Sequence, residues 1–365
     1  MNQVTEPPFP SAPAASPQTA AQPAPLELLA GAPPAVNRMY GVVLGFWSSQ
    51  IAGTLARLEI PDQVADGPRS GDELATATGC LPAALLRLLR AATTVGILTE
   101  QPGRRFALTE MGAALRTDVP GSLAGLARAI TASAHWLPWG RLDDAIRTGR
   151  STAQEALAAP FFDYLAGRPR ECADFAAAME DLSTMIAAAV VDRLDLTGAR
   201  DIVDVGGGTG TLLTALLARH PELQGAVLER PEVVDRARAH IHERGLDERC
   251  AVAAGDFFTA VPEADVLVLK LILHDWDDEH ATAILRACAA GLRPDGRLIL
   301  IEAVVPDDPS AVPLLPLLDV NMLVVLGGHE RTAAEFTALL AGAGLRLDRI
   351  TETGSHGQII EARHA

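Results

Sequence analysis

The chain has 365 residues, enough for two or three domains at roughly 100 to 200 residues each. Asp and Glu number 46 against 30 Lys and Arg, and the net charge of -16 argues against a nucleic-acid backbone or an anionic membrane surface as partner. Cys80, Cys172, Cys250 and Cys288 form no C-x-x-C pair and no cluster with His, which argues against a disulfide framework and a structural zinc site.

The N-terminus lacks a cationic segment followed by an apolar run, and the most apolar later stretch, 311–328, is broken by Pro313, Pro316, Asp319 and Asn321. No membrane span is expected, and the reading places the chain in the cytoplasm. Lys270 is the only lysine; the other basic residues are all Arg. A compact ammonium kept in an Arg background marks that position for attention.

Residues 1–34 are rich in Pro and Ala and are expected to form a disordered leader. Residues 35–117 then read as helix, helix, helix and hairpin, the order of a winged helix. An N-cap signal lies at Ser70-Gly71-Asp72-Glu73, a helix over 81–95, and two short strands flank the turn Gln101-Pro102-Gly103. The would-be recognition helix offers only Arg87 and Arg90 among Leu and Ala, so DNA reading is rejected in favour of an apolar dimerisation surface. A mean hydropathy of +0.18 fits a homodimer. Residues 118–197 read as a helical linker and cap, with aromatic patches at Trp136, Trp139, Phe161, Phe162 and Tyr164 suited to a flat apolar ligand.

Over 198–365 strand-like apolar runs alternate with helices, which signals an α/β fold with a parallel sheet. Two last strands, 345–351 and 358–362, suggest a closing antiparallel hairpin. The first strand ends in Asp204-Val205-Gly206-Gly207-Gly208-Thr209-Gly210 and runs into a helix, the arrangement of a nucleotide-binding turn. A dinucleotide fingerprint would need its third glycine at 211, which is Thr211, and this argues against a nicotinamide oxidoreductase. Glu229, at the end of the second strand, can accept hydrogen bonds from both ribose hydroxyls. A further strand delivers His274 to the carboxyl edge of the sheet, and the acids Asp277, Asp278 and Glu279 read as the first turn of a helix, with no metal site expected.

The glycine loop resembles the first motif of S-adenosylmethionine-dependent methyltransferases. The segment from Asp265 through Lys270, His274 and Asp275 to Glu279 resembles the catalytic segment of the plant-type small-molecule O-methyltransferases and their bacterial natural-product relatives. Gly255-Asp256-Phe257-Phe258, the run from Glu229 to Val234, and Gly328-His329-Glu330-Arg331-Thr332 match further motifs in order, so the resemblance covers about residues 37–365. It implies a Rossmann-like catalytic domain, S-adenosylmethionine as cofactor, S-adenosylhomocysteine as product, and a phenolic acceptor, free or tethered to a carrier. His274 matches the general base, and Glu302 and Glu330 match the acids that orient it. Asp204, Gly206, Gly208, Glu229, Asp256, Phe257, Lys270 and Ser183 match the cofactor site. Asp275, Met179 and Asn321 join Trp136, Trp139 and Phe162 as the expected acceptor site. Glu229 departs from the Asp of many plant members, and 323–328 is shorter than the plant pattern, so plant substrates do not carry over. The rival readings are a relative that keeps the cofactor for decarboxylation or hydroxylation, and a ligand-sensing regulator built on the winged helix.

Overall fold

A computed structural model describes residues 30–355 and 357–365; most of the expected leader lies outside the described residues. The chain falls into two compact units, Met1–Thr131 and Ala132–Ala365.

In the first unit a 24-residue helix, Pro34–Arg57, precedes helices Gly71–Thr78 and Pro82–Thr94 and the antiparallel strands Leu98–Gln101 and Arg105–Leu108. Arg69–Ser70 pairs with the far side of the second strand. Ser70 and Glu73 close a reciprocal capping box that starts the Gly71–Thr78 helix where the sequence places it. Leu55, Leu74, Leu85, Leu89 and Phe106 form the core. The long helix leaves Val36, Met39, Tyr40, Val42, Val43, Phe46 and Trp47 exposed, a stripe too apolar to face water alone.

The second unit is built on a seven-stranded sheet: β1 Asp201–Val205, β2 Gln224–Glu229, β3 Cys250–Ala254, β4 Ala264–Lys270, β5 Leu292–Glu302, β6 Leu345–Thr351 and β7 Gln358–His364. Their spatial order is β6-β7-β5-β4-β1-β2-β3. β1 to β5 run parallel, while β7 pairs antiparallel with both β5 and β6, the expected closing hairpin. Alternation along the central strands fills both faces. Leu267 and Leu269 of β4 pack with Ile284, Leu300 and Phe336 on one side, Val266 and Val268 with Leu213, Ile299 and Ile186 on the other. Each such side chain contributes about 1.5–3 kcal/mol by leaving water.

The strand order reverses between β1 and β4, so the loops after these two strands lie side by side at the carboxyl edge, where open α/β sheets hold ligands. Two features escape the sequence reading. The apolar stretch 311–328 contains a helix, Leu315–Val325, and Val304–Val305 pairs in parallel with Arg331–Thr332. Among the described residues no helix is long and apolar enough to cross a membrane.

Candidate active site

β4 ends at Lys270, earlier than the apolar run suggests, because Leu271 turns to φ +54°. A branched side chain rarely adopts that left-handed backbone, and the kink directs the chain into a single 3-10 turn, Leu273–Asp275. The turn's exposed amides are met from the end of β5: Glu302 Oε1 accepts from Ile272 N at 3.0 Å and from Leu273 N at 2.7 Å. His274 therefore sits on a tethered turn rather than on the strand.

Its imidazole is buried among carboxylates. Nδ1 donates to Glu330 Oε1 at 2.9 Å, a direction fixed because a carboxylate only accepts. Nδ1 also lies 4.0 Å from Glu302 Oε2, and Nε2 lies 3.4 Å from Asp275 Oδ1. Burial favours the neutral ring, but the Glu302 charge, the Glu330 hydrogen bond and the Asp275 charge outweigh it and push the His274 pKa up to about 10. Burial in turn pushes Asp275 up to about 7 against the pull of His274, and raises Glu302. Glu302 Oε2 and Glu330 Oε2 are buried without a hydrogen-bond partner. Glu330 is held from behind, its backbone amide donating to Asp319 Oδ1 at 2.8 Å.

The glycine loop lies beside this turn. Gly206 has φ +70°, and a Cβ there would stand 2.7 Å from Ile272 Cδ1 and 3.4 Å from Phe257 Cε1, so the loop packs against both neighbouring segments. A Cβ on Gly207 would stand 2.5 Å from the Asp204 carboxyl carbon, whereas Gly208, φ +59°, faces open space. Asp204 is fully buried beneath the loop with both oxygens unpartnered; burial pushes it up to about 7, with Lys270 opposing. Burial lowers Lys270, and the charges of Asp204, Glu302 and Asp275 work the other way. Glu229 accepts from Gly208 N and Arg230 N, each at 2.8 Å. Asp256 accepts from Phe258 N at 3.0 Å, which shapes the turn that offers Phe257. An orphaned carboxylate, an open glycine face and a half-buried acid at the next strand end fit a cationic nucleoside such as S-adenosylmethionine. Asp204, Gly206, Gly208, Glu229, Asp256, Phe257 and Lys270 all belong to this edge.

The remaining expected residues divide. Ser183 and Met179 lie on the Pro169–Val190 helix, where the Ser183 hydroxyl donates to the Met179 carbonyl at 2.5 Å and so keeps only acceptor capacity. Phe162 lines a cavity of about 330 Å³ with Phe161, Asp275, Trp276, Arg230 and Gln154. Trp139 is instead exposed on a separate depression and donates to Asn321 Oδ1 at 2.8 Å, while Trp136 is half-buried on the same short helix. Arg230 pairs with Asp163 at 3.1 Å and Glu232 at 2.7 Å at the cavity rim. Sequence reasoning passed over Trp276, Arg230 and Arg331. All three stand inside segments that match the family, but nothing local says that an Arg at 331 is buried.

Comparison with known proteins agrees with this geometry. Residues 139–346 match the family model described as an O-methyltransferase domain, and residues 40–118 match an O-methyltransferase dimerisation domain. The chain is 35% identical over 335 residues to phenazine O-methyltransferase PhzM of Lysobacter antibioticus, covering 92% of this chain and 98% of that one. It is 37% identical over 327 residues to the mitomycin biosynthesis 6-O-methyltransferase of Streptomyces lavendulae, covering 89% and 93%. The solved mitomycin 7-O-methyltransferase MmcR superposes with a TM-score of 0.86 at 36% identity, covering 91% of this chain and 98% of that one. Aclacinomycin 10-hydroxylase RdmB of Streptomyces purpurascens is also similar, at 35% over 305 residues and 82% of each chain. With a matched catalytic model, a matched dimerisation model and relatives aligned over nearly their whole length, the chain belongs to the S-adenosylmethionine-dependent O-methyltransferase family.

Proposed function

We propose that the protein methylates a phenolic hydroxyl of a flat aromatic natural product, working as a cytoplasmic homodimer with His274 as general base. The observation that carries this reading is the division of labour on one ring. Nδ1 is anchored to Glu330, and Nε2 is left beside Asp275, which lines the aromatic cavity. Phe161, Phe162 and Trp276 offer the flat apolar walls that an aromatic acceptor needs. The relatives named for phenazine and mitomycin point to the same class of acceptor.

When bound, S-adenosylmethionine supplies an electrophilic methyl on a positively charged sulfur. Gly206, Gly208, Glu229, Asp256, Phe257 and Lys270 would hold it, with Asp204 supplying negative charge below the loop and Ser183 and Met179 closing from the cap helix. Asp275 would orient the acceptor in the cavity that Phe161, Phe162 and Trp276 line, whereas Trp139 and Asn321, on their separate depression, take no part in that wall. The carboxylates around His274 favour its imidazolium form at neutral pH. A cation bound nearby would offset those carboxylates, and His274 would then release its proton to solvent and stand ready as a base. With the ring neutral, Nε2 would take the acceptor's hydroxyl proton, while the bound cofactor would supply the methyl and leave as S-adenosylhomocysteine. Base catalysis of this kind is worth roughly 100- to 10,000-fold, and alignment supplies much of the rest.

The test is a panel of phenols incubated with S-adenosylmethionine, read by a methyl mass shift and by S-adenosylhomocysteine formed in equal amount. His274→Ala is expected to lose at least 100-fold in kcat. A wild-type rate in that variant would remove the base. Conversion of an acceptor without S-adenosylhomocysteine would favour chemistry of the hydroxylase kind that the likeness to RdmB keeps in view.

A further inference from the structure

Behind the His274 turn lies one of the largest fully buried side chains of the described chain, that of Arg331, 1% exposed. Its guanidinium reaches three acceptors on one short stretch of backbone and helix start. Nη1 donates to the Leu273 carbonyl at 2.7 Å and Nη2 to the Trp276 carbonyl at 2.8 Å. Nε and Nη2 both donate to Asp278 Oδ1, at 3.0 and 2.9 Å. The two carbonyls bracket His274 and Asp275, and Asp278 is the first residue of the helix that follows.

Arg331 is itself fixed. It pairs with Val304 two residues beyond Glu302, and it directly follows Glu330. Gly328 completes the contact, since a Cβ there would stand 2.0 Å from the His274 carbonyl oxygen and 2.5 Å from Trp276 N. The segment 328–331 therefore lies flush against the turn, and only a fork-shaped cation reaches all three acceptors at once.

We infer that Arg331 is a positioning residue for His274: by gripping the carbonyls of Leu273 and Trp276 and the carboxylate of Asp278, it holds the turn at the place where Glu330, Glu302 and Asp275 meet the imidazole. The hydrogen bond from Nδ1 to Glu330 depends on two chain segments keeping register, and Arg331 bonds one to the other. This rests on His274 being the proton acceptor, and a displacement of about 1 Å suffices to cost 100-fold in rate.

The experiment uses the full chain with S-adenosylhomocysteine bound and 15N-labelled histidine, with His274 assigned by its loss in His274→Ala. In the wild type a slowly exchanging Nδ1 proton and a raised His274 titration are expected. In Arg331→Ala the proton signal is lost and the titration moves down, toward an ordinary imidazole value near 6.5. The direction is diagnostic, because deleting a cation without moving the turn would shift the titration upward. Affinity for S-adenosylhomocysteine stays within about threefold, since the glycine loop and Glu229 are untouched, while kcat falls about 100-fold. Arg331→Lys recovers part of the signal, and added guanidinium restores more in Arg331→Ala.

An unchanged or upward titration in Arg331→Ala, or a loss that guanidinium and Lys both fail to reverse, overturns the assignment. Should Arg331→Ala not fold, Asp278→Ala removes one grip from the outside, and a smaller shift of the same sign is expected; no shift there overturns it too. If His274→Ala keeps its rate, the base reading falls. If it loses its rate while Arg331→Ala keeps both rate and signal, only the positioning role falls.

Discussion

Glu330 and His274, 56 residues apart in sequence, meet through a 2.9 Å bond from Nδ1 to Oε1, with both side chains almost wholly buried. The bond sets which nitrogen would serve the proposed base, since a ring that donates from Nδ1 keeps Nε2 for proton uptake once neutral. Glu330→Gln is expected to lower kcat by roughly 10- to 100-fold, as loss of an orienting partner does elsewhere, with the KM for S-adenosylmethionine little changed. Steady-state kinetics on an acceptor from the phenol panel checks it, and an equal fall in cofactor affinity would instead mark a collapsed site.

The acidic surroundings of His274 make cofactor affinity depend on pH. The ligand-free ring, with its pKa near 10, carries a proton at neutral pH, and a sulfonium must compete with that charge while a thioether need not. The affinity for S-adenosylmethionine relative to S-adenosylhomocysteine is therefore expected to rise from pH 6 to 9, by at most about tenfold per unit. Titration calorimetry of both ligands measures the ratio, in which their shared nucleoside and amino-acid parts cancel. A flat ratio would mean that the cofactor's charge and the ring's proton do not compete.

The same shift has a sign for folding. A pKa raised above its unfolded value near 6.5 stabilises the fold fully below that pH, and the benefit is lost as pH climbs through about 10. The melting temperature of wild type over His274→Ala should therefore shrink as pH goes from 6.5 to 10, as thermal unfolding without ligand would report.

Gly328 tolerates no side chain. Gly328→Ala is expected to displace the His274 turn and lower kcat at least tenfold, whereas Gly342→Ala, at the end of the Ala333–Gly342 helix with only ordinary contact to Thr282, should leave activity unchanged. Parallel assays of the two variants separate crowding from the general effect of an added methyl.

The apolar stripe on the Pro34–Arg57 helix is expected to be covered by a second copy. Replacing exposed Phe46 and Trp47 together by Glu should give a monomer in analytical ultracentrifugation where the wild type sediments as a dimer.

Much of this was legible in the sequence, for reasons that differ by element. The parallel sheet followed from buried β4 and the alternation of strand and helix, and the nucleotide edge from glycines whose backbone no other residue adopts cheaply. The resemblance to O-methyltransferases brought His274, Glu302 and Glu330 into view from distant positions, and the fold sets both acids within reach of the His274 imidazole. What stayed hidden depends on burial between segments far apart. The left-handed turn at Leu271 leaves no local signature, and Arg331 reads as a surface cation in any window of sequence. The helix Leu315–Val325 was masked by Pro313 just before it and Pro316 in its first turn, where a missing amide costs nothing.

Lys270 closes β4 with the only ε-amino group of the chain, buried beside Asp204 at the cofactor edge. Reagents that seek primary amines thus find, apart from the α-amino group, a single address, and it lies at the carboxyl end of β4. Labelling yield would gauge occupancy were S-adenosylmethionine to cover that amine, and coupling chemistries that anchor most proteins harmlessly by their surfaces would here reach for a buried group.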